Sequence, residues 1–376
     1  MLAGLALLAA KATAKTCFNS TVEIPVTSRN GVFDNLSTPK TNFEAAAFAI
    51  SATRQGANGT EQALTDYATI SKTYKISTQY CMPDASSRDA PLQILTHGIG
   101  FDKIYWDLPY NDFNYSYIDK ALSHGYHTLS YDRLGIGNSS HGDPKNEIQA
   151  FLEVSALAQI TKMARNGSFP GIRHKPQKVI HAGHSFGSGL TYALSAAYPS
   201  LTDGIVLTGF SFNTSFSSYF VAGANFHQAN QFLPSKNTSS SYYPPGYLVS
   251  SNAVANEFLF FTPPYFDPKI LAFAEQNKKP VAIGELLTMG SVPMQSPFTG
   301  PVLIITGSND VPFCGGDCLN TGGAAESIPA QGKMAFPSAK AFEAYIQPHT
   351  GHSLNLHYNA TGSYEVIAGF LKSNGL

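Results

Sequence analysis

In the segment VIHAGHSFGSGLTYALSAAYP, Val179 to Pro199, Ser185 stands between two glycines in the pattern Gly183-His184-Ser185-Phe186-Gly187. A serine in this pattern is a candidate nucleophile when it sits on a sharp turn from a strand into a helix. The pentapeptide alone decides little, because chance supplies about 0.27 G-x-S-x-G matches in a chain with this length and this glycine and serine content. Its surroundings carry more weight. Lys178 to Ala182 reads as a short strand and Ser188 to Tyr198 as a helix closed by Pro199, so Ser185 falls on the required turn. The glycines remove side chains that would collide with the neighbouring strand and helix, and the helix start aims amides at developing negative charge.

A serine hydroxyl is a poor nucleophile at neutral pH and needs a base that is itself oriented by an acid. In the order serine, acid, histidine, the strand-like PVLIITGSND delivers Asp310 into a loop at its end. Asp317 competes, but it lies further from the strand end, between Cys314 and Cys318. The stretch AYIQPHTGHSLNLHY offers three bases, His349, His352 and His357. His352 follows Gly351 directly after a short strand and is the expected base. His349 reads as a surface or packing histidine, and His357 as a residue inside the next helix. In LTHGIGFDKIYWD the amide of Ile99, together with that of Phe186, is the expected pair of donors to a tetrahedral oxyanion. His97 reads as a brace for that loop.

These residues need a scaffold. STVEIPVT and YATISKTYKISTQY alternate apolar and polar residues as antiparallel strands with one wet face do, with a helix, NFEAAAFAISA, between them. From Leu92 the pattern becomes short apolar strands, LQILTHG, YHTLSYD, KVIHAGHS, GIVLTG and PVLIITGS, separated by helical segments such as Glu147 to Arg165. That alternation predicts an α/β fold with a mostly parallel sheet covered on both faces by helices. Between residues 208 and 299 the alternation stops. Seventeen aromatic residues and the proline-rich turns YYPPGY and TPPYF fall there, which predicts a folded lid inserted between two core strands rather than a loose loop. The expected organisation is a signal peptide at 1–14, a first core part at 15–207 with an N-terminal strand extension, the lid at 208–299 and a second core part at 300–376.

Hydrophobic residues make up 43% and charged residues 13% of the chain, with a formal net charge of -1. Such a balance argues against disorder and against an electrostatic footprint for nucleic acid or an anionic membrane. Leu2 to Ala10 is an apolar run too short to span a bilayer, followed by Ala12-Thr13-Ala14 as a small-residue cleavage site. Together they read as a secretory signal, with a buried N-terminal helix as the alternative. Nine N-x-S/T sequons start at Asn19, Asn35, Asn58, Asn114, Asn138, Asn166, Asn213, Asn237 and Asn359, where composition alone supplies about four. An extracellular, glycosylated protein is the expectation. The four cysteines then favour two disulfides over a metal site. Of three possible pairings, Cys17 with Cys81 and Cys314 with Cys318 is preferred. No motif for a metal or a nucleotide cofactor is present, and no cofactor is expected.

In THGIG, SYDRLGIGNS, GHSFG, GSNDVPF and TGHS, in that order, the chain resembles the α/β-hydrolase superfamily, and more narrowly the secreted, glycosylated members from filamentous fungi. The resemblance covers Leu92 to Leu207 and Pro301 to Leu376. It implies Ser185, Asp310 and His352 as a catalytic triad, with Ile99 and Phe186 as the oxyanion donors. The strand-rich region before Leu92 and the aromatic lid depart from the simplest members. The expected activity is hydrolysis of a neutral, apolar ester or lactone, a small-molecule substrate, through an acyl-enzyme. Other chemistries of the same triad, such as C–C hydrolysis, acyl transfer or lyase reactions, and a catalytically silent apolar-ligand binding module, are the rival readings.

Overall fold

The computed structural model describes residues 15–56, 59–84, 90–172, 175–233 and 243–376. The expected signal at 1–14, the sequons at Asn58 and Asn237, and the lid residue Tyr242 lie outside the described residues.

The chain opens with two long strands, β1 (Lys15–Val32) and β2 (Asp66–Pro83), paired antiparallel along their whole length. Their period-two pattern buries Val22, Ile24 and Val26 on one face of β1 while the residues between face water. The expected disulfide Cys17–Cys81 joins directly opposed residues of this ribbon. The helix Asn42–Thr53 bridges the two strands, started by a capping box in which Thr41 and Glu44 satisfy each other's backbone amides.

The remaining core strands are β3 (Leu92–Thr96), β4 (His127–Tyr131), β5 (Val179–His184), β6 (Gly204–Thr208), β10 (Pro301–Gly307) and β11 (Ala341–Gln347). Between β6 and β10 the chain leaves the sheet and forms β7 (His227–Gln228), β8 (Tyr247–Val249) and β9 (Val281–Ala282), a small antiparallel sheet of its own. The large sheet has eight strands in the order β1-β2-β4-β3-β5-β6-β10-β11, with β4 through β11 parallel and β1 and β2 antiparallel. The expectation of a mostly parallel α/β sheet is met. The region before Leu92, expected as a departure, supplies two strands of this same sheet, because β2 pairs with β4 from Thr78 to Cys81.

The short core strands are buried on both faces, which is why they read as near-continuous apolar runs. In β10, Leu303 and Ile305 pack with Ile367 and Leu371 of the C-terminal helix Ala360–Ser373. Val302 and Ile304 pack on the other side with Tyr192 of the helix Phe186–Ala197. Since β3, β5, β10 and β11 run parallel, the loops leaving their carboxyl ends gather along one edge of the sheet, where ligands of open α/β sheets bind. Ile99, Ser185, Asp310 and His352 all lie on those loops.

Candidate active site

Ser185 follows the last residue of β5 and precedes the first residue of the helix Phe186–Ala197. Its backbone is left-handed, φ 56° and ψ −121°, a conformation that costs a non-glycine residue on the order of 1–3 kcal/mol and persists only where its surroundings impose it. They do so here by close approach. A Cβ on Gly187 would lie 2.3 Å from the Thr96 carbonyl oxygen, and one on Gly183 would lie 2.3 Å from the Gly187 carbonyl oxygen. The Ser185 amide donates to the Thr208 carbonyl at 2.8 Å, tying the turn to β6. Ser185 lines a cavity of about 300 Å³.

Asp310 and His352 form a buried pair, with His352 Nδ1 2.8 Å from Asp310 Oδ2. Asp310 is held by its place at the head of a short helical turn: its Oδ1 accepts from the Phe313 amide at 2.9 Å, and its Oδ2 also accepts from the Thr306 hydroxyl at 2.5 Å. An ionised carboxylate only accepts, so it fixes the proton on Nδ1 and leaves Nε2 of the imidazole able to accept a proton. The His352 ring stacks on those of Phe313 and Phe260, at 5.5 and 5.9 Å, and lies 4.9 Å from that of His184, the residue before Ser185. Asp317 is exposed and accepts from the Leu319 amide instead. His349 is exposed and stacked on Tyr265.

Phe186 is the first residue of its helix, a position whose amide has no intrahelical acceptor. Among the described residues neither that amide nor the Ile99 amide donates to a backbone carbonyl in a turn or loop. The two carriers are brought together because Gly98 has no side chain: a Cβ there would lie 2.8 Å from that of Ser185. His97 braces the loop through both ring nitrogens, Nδ1 donating to the Gly98 carbonyl at 2.8 Å and Nε2 accepting from the Arg133 amide at 3.0 Å. Burial, with Arg133 nearby, holds His97 well below the usual imidazole range, so it is neutral, as this bonding pattern needs.

Arg133 is not among the expected site residues, although SYDRLGIGNS puts an aspartate and an arginine together at a strand end in a chain with few charges. Its guanidinium is buried against the Phe186 ring, 4.8 Å from the centroid. It is paired at 2.7 Å with Glu153 of the helix Ala150–Asn166 and also with Glu285 of the lid helix Ile283–Thr288. Through its amide it holds His97, and through its side chain it holds Phe186, so one residue supports both expected oxyanion donors. Burial pushes the Glu153 carboxyl well above its ordinary range; Arg133 opposes the shift and Glu285 adds to it.

His357 is placed differently from the expectation. It follows the turn Leu354–Leu356 and precedes the helix Ala360–Ser373 instead of lying within it. Its Nε2 faces the amides of Gly351, at 3.0 Å, and of Thr262, at 3.1 Å, while Nδ1 donates to the Ser353 carbonyl. Burial pulls its pKa down to about 4, consistent with a neutral acceptor. It thus fixes the residue before His352 and joins that loop to the lid. The GHSLNLH spacing contains the histidine, but only the fold shows which amides it meets.

Among the described residues no charged side chain lines this cavity. Of the sixteen described aromatic residues between 208 and 299, Phe210, Phe212 and Phe220 reach it; most of the others pack among themselves and against the core. The apolar wall is completed from elsewhere, by Phe48 of the helix between β1 and β2, by Ile99 and Phe186, and by Leu286, Met289 and Phe313. One sequon, Asn213, lies in the lining, whereas the six other described sequon asparagines are exposed. The other expected disulfide, Cys314–Cys318, closes the loop just after Asp310.

The model of the Alpha/beta hydrolase family matches residues 93–361. No curated protein matches the chain at a significant level. Among solved structures, a thermophilic esterase from Thermogutta terrifontis superposes with a TM-score of 0.54 at 12% identity, over 80% of this chain and 94% of that one. An enol-lactonase from Burkholderia xenovorans LB400 gives a TM-score of 0.53 at 16% identity, over 80% and 97%. At these identities the likeness is one of fold.

Proposed function

Because the chain belongs to the alpha/beta hydrolase family, we propose that it is a secreted serine hydrolase that cleaves a neutral, largely apolar carboxylic ester or lactone through an acyl-enzyme. The observation that carries the reading is the buried His352–Asp310 pair on the same sheet edge as a serine in a left-handed turn that lines the cavity. Ser185 Oγ attacks the carbonyl carbon as His352 Nε2 takes its proton. The C–O bond to the alcohol then breaks as His352 returns that proton to the leaving oxygen. Water repeats the sequence on the acyl-enzyme, releasing the acid and restoring Ser185. Asp310 keeps the imidazole in one tautomer, and the amides of Ile99 and Phe186 receive the oxyanion.

The uncharged cavity favours neutral substrates, since a buried unpaired ion costs far more than a methylene gains, roughly 0.8 kcal/mol per CH₂. An esterase and an enol-lactonase among the structural relatives agree with an oxygen ester as substrate. Secretion is supported by the N-terminal apolar run, by two disulfides and by six exposed sequons. The test is labelling of the purified protein by a fluorophosphonate, mapping of the adduct, and product analysis on a panel of esters and lactones. An adduct on Ser185 with free acid as product is expected. No adduct on Ser185, with retained binding of apolar ligands, would instead indicate a silent binding module.

A further inference from the structure

One wall of the cavity changes character along its length. The turn Thr214–Phe216 and the helix Ser217–Ala224 present Asn213, Thr214, Ser217, Ser218, Phe220 and Val221 to it. The spacing is that of one helical face. Phe220 and Val221 are buried in the same cluster as Ile99 and Phe186, beside the proposed oxyanion donors. Thr214 and Ser217 are exposed, toward the mouth. Among the described residues the hydroxyls of Thr214, Ser217 and Ser218 make no hydrogen bond; Asn213 Oδ1 accepts from the Ser215 amide, which leaves its Nδ2 donors open. Ser211, also in the lining, is already satisfied, donating to the Phe313 carbonyl and accepting from the Asn213 amide.

We infer that the cavity takes an amphiphilic ester or lactone, apolar beside the reacting carbonyl and bearing hydroxyl or carbonyl oxygens further out, where Asn213, Thr214, Ser217 and Ser218 meet them. This rests on the hydrolase reading and narrows its substrate class. An all-alkyl chain long enough to pass Phe220 strips water from a row of polar groups and returns no hydrogen bond, whereas an oxygenated chain replaces what it displaces. The row offers both donors and acceptors and no charge, so it suits hydroxyls, ethers and ketones better than carboxylates or amines.

The test uses nitrophenyl esters of hexanoic and 6-hydroxyhexanoic acid, and the matching acetates of hexanol and hexane-1,6-diol, so that either side of the ester can reach the row. For at least one pair the hydroxylated member is expected to have the higher kcat/KM, by about five- to tenfold, as one or two added hydrogen bonds give. In Thr214→Val/Ser217→Ala/Ser218→Ala that ratio is expected to fall to about one or below, and each single variant should move it partway. Preference for the alkyl member in both pairs, or a ratio that the triple variant leaves unmoved, overturns the inference. If neither pair is turned over, the hydrolase reading has failed separately. Calorimetric titration of Ser185→Ala with 2-octanone and 8-hydroxy-2-octanone then decides: tighter binding of the hydroxyketone, lost in the triple variant, supports the two-faced cavity, and equal or weaker binding overturns it.

Discussion

Removing the Ser185 hydroxyl takes away the proposed nucleophile and little packing, so Ser185→Ala should fold normally and lose on the order of 10⁴-fold or more in kcat. His352→Ala should approach that loss. Asp310→Asn should be folded but slow, because an amide presents the wrong imidazole tautomer. His349→Ala, at an exposed ring stacked on Tyr265, should be mild; equal damage from the His349 and His352 variants would overturn the assignment of the base. Arg133 acts one step behind the reacting atoms. Arg133→Lys keeps a positive charge between Glu153 and Glu285 but loses the planar contact with Phe186, and a small misplacement of an oxyanion donor should lower kcat about tenfold or more while KM moves little. A rise in KM with kcat intact would make Arg133 a ground-state binding residue instead. Glu153 gives a pH prediction with a definite sign. Its folded pKa is raised above the ordinary 4.5, so the stability from its protonated form is full below that value and drains away as pH rises toward the folded pKa. Glu153→Gln keeps a neutral group there. Its Tm relative to the native protein should therefore improve from pH 5 to pH 8, and the opposite trend would show that the native carboxyl is ionised beside Arg133.

At the scale of elements, the two disulfides are built for different tasks. Cys17–Cys81 spans 64 residues and staples the opening hairpin, while Cys314–Cys318 spans 4 and shapes the loop after Asp310. In the chain-entropy model the first constrains the unfolded state by about 4 kcal/mol and the second by about 2 kcal/mol. The Cys17→Ser/Cys81→Ser variant should accordingly lose more in Tm. The Cys314→Ser/Cys318→Ser variant should lose more in kcat, since the Cys314 amide bonds the Asp310 carbonyl and the Cys318 amide bonds that of Ser308. Unfolding curves and kinetics on both pairs separate the two effects. Elements with a single dominant period were legible beforehand. The core strands announced themselves as apolar runs, and the helix after Ser185 by its closing Pro199. The helix Asn42–Thr53 was also legible as a helix, but nothing in its residues told that Phe48 and Ala52 would wall the cavity, because that depends on where the long hairpin folds back.

For the molecule as a whole, the broadest expectation comes from a cavity lining that holds no charged side chain among the described residues. In matched pairs of neutral and carboxylate-bearing esters, kcat/KM should favour the neutral member by at least about tenfold, because the ion finds no partner when its water is removed. Preference for the charged member would mean that the catalytic pocket is a different space from the one lined by Ser185. The buried ionisable cluster of Arg133, Glu153 and Glu285 is not part of this wall; it links the sheet, a core helix and the inserted segment.

The order of strands and helices, the turn at Ser185, and Asp310 and His352 as partners followed from local rules: apolar period, glycine placement, and the chain order of a nucleophile, its acid and its base. These are properties of neighbouring residues, and a single chain displays them directly. The tertiary structure decided what depends on residues far apart in the chain. It joined the strands before Leu92 to the main sheet, set His357 against Gly351 and the lid, and put Arg133 between Glu153 and Glu285 under Phe186. It also divided the lid aromatics into a few that line the cavity and many that form the lid's own packing. Burial of a charge or a ring is settled by which distant surfaces meet, and no local pattern of residue types encodes that meeting.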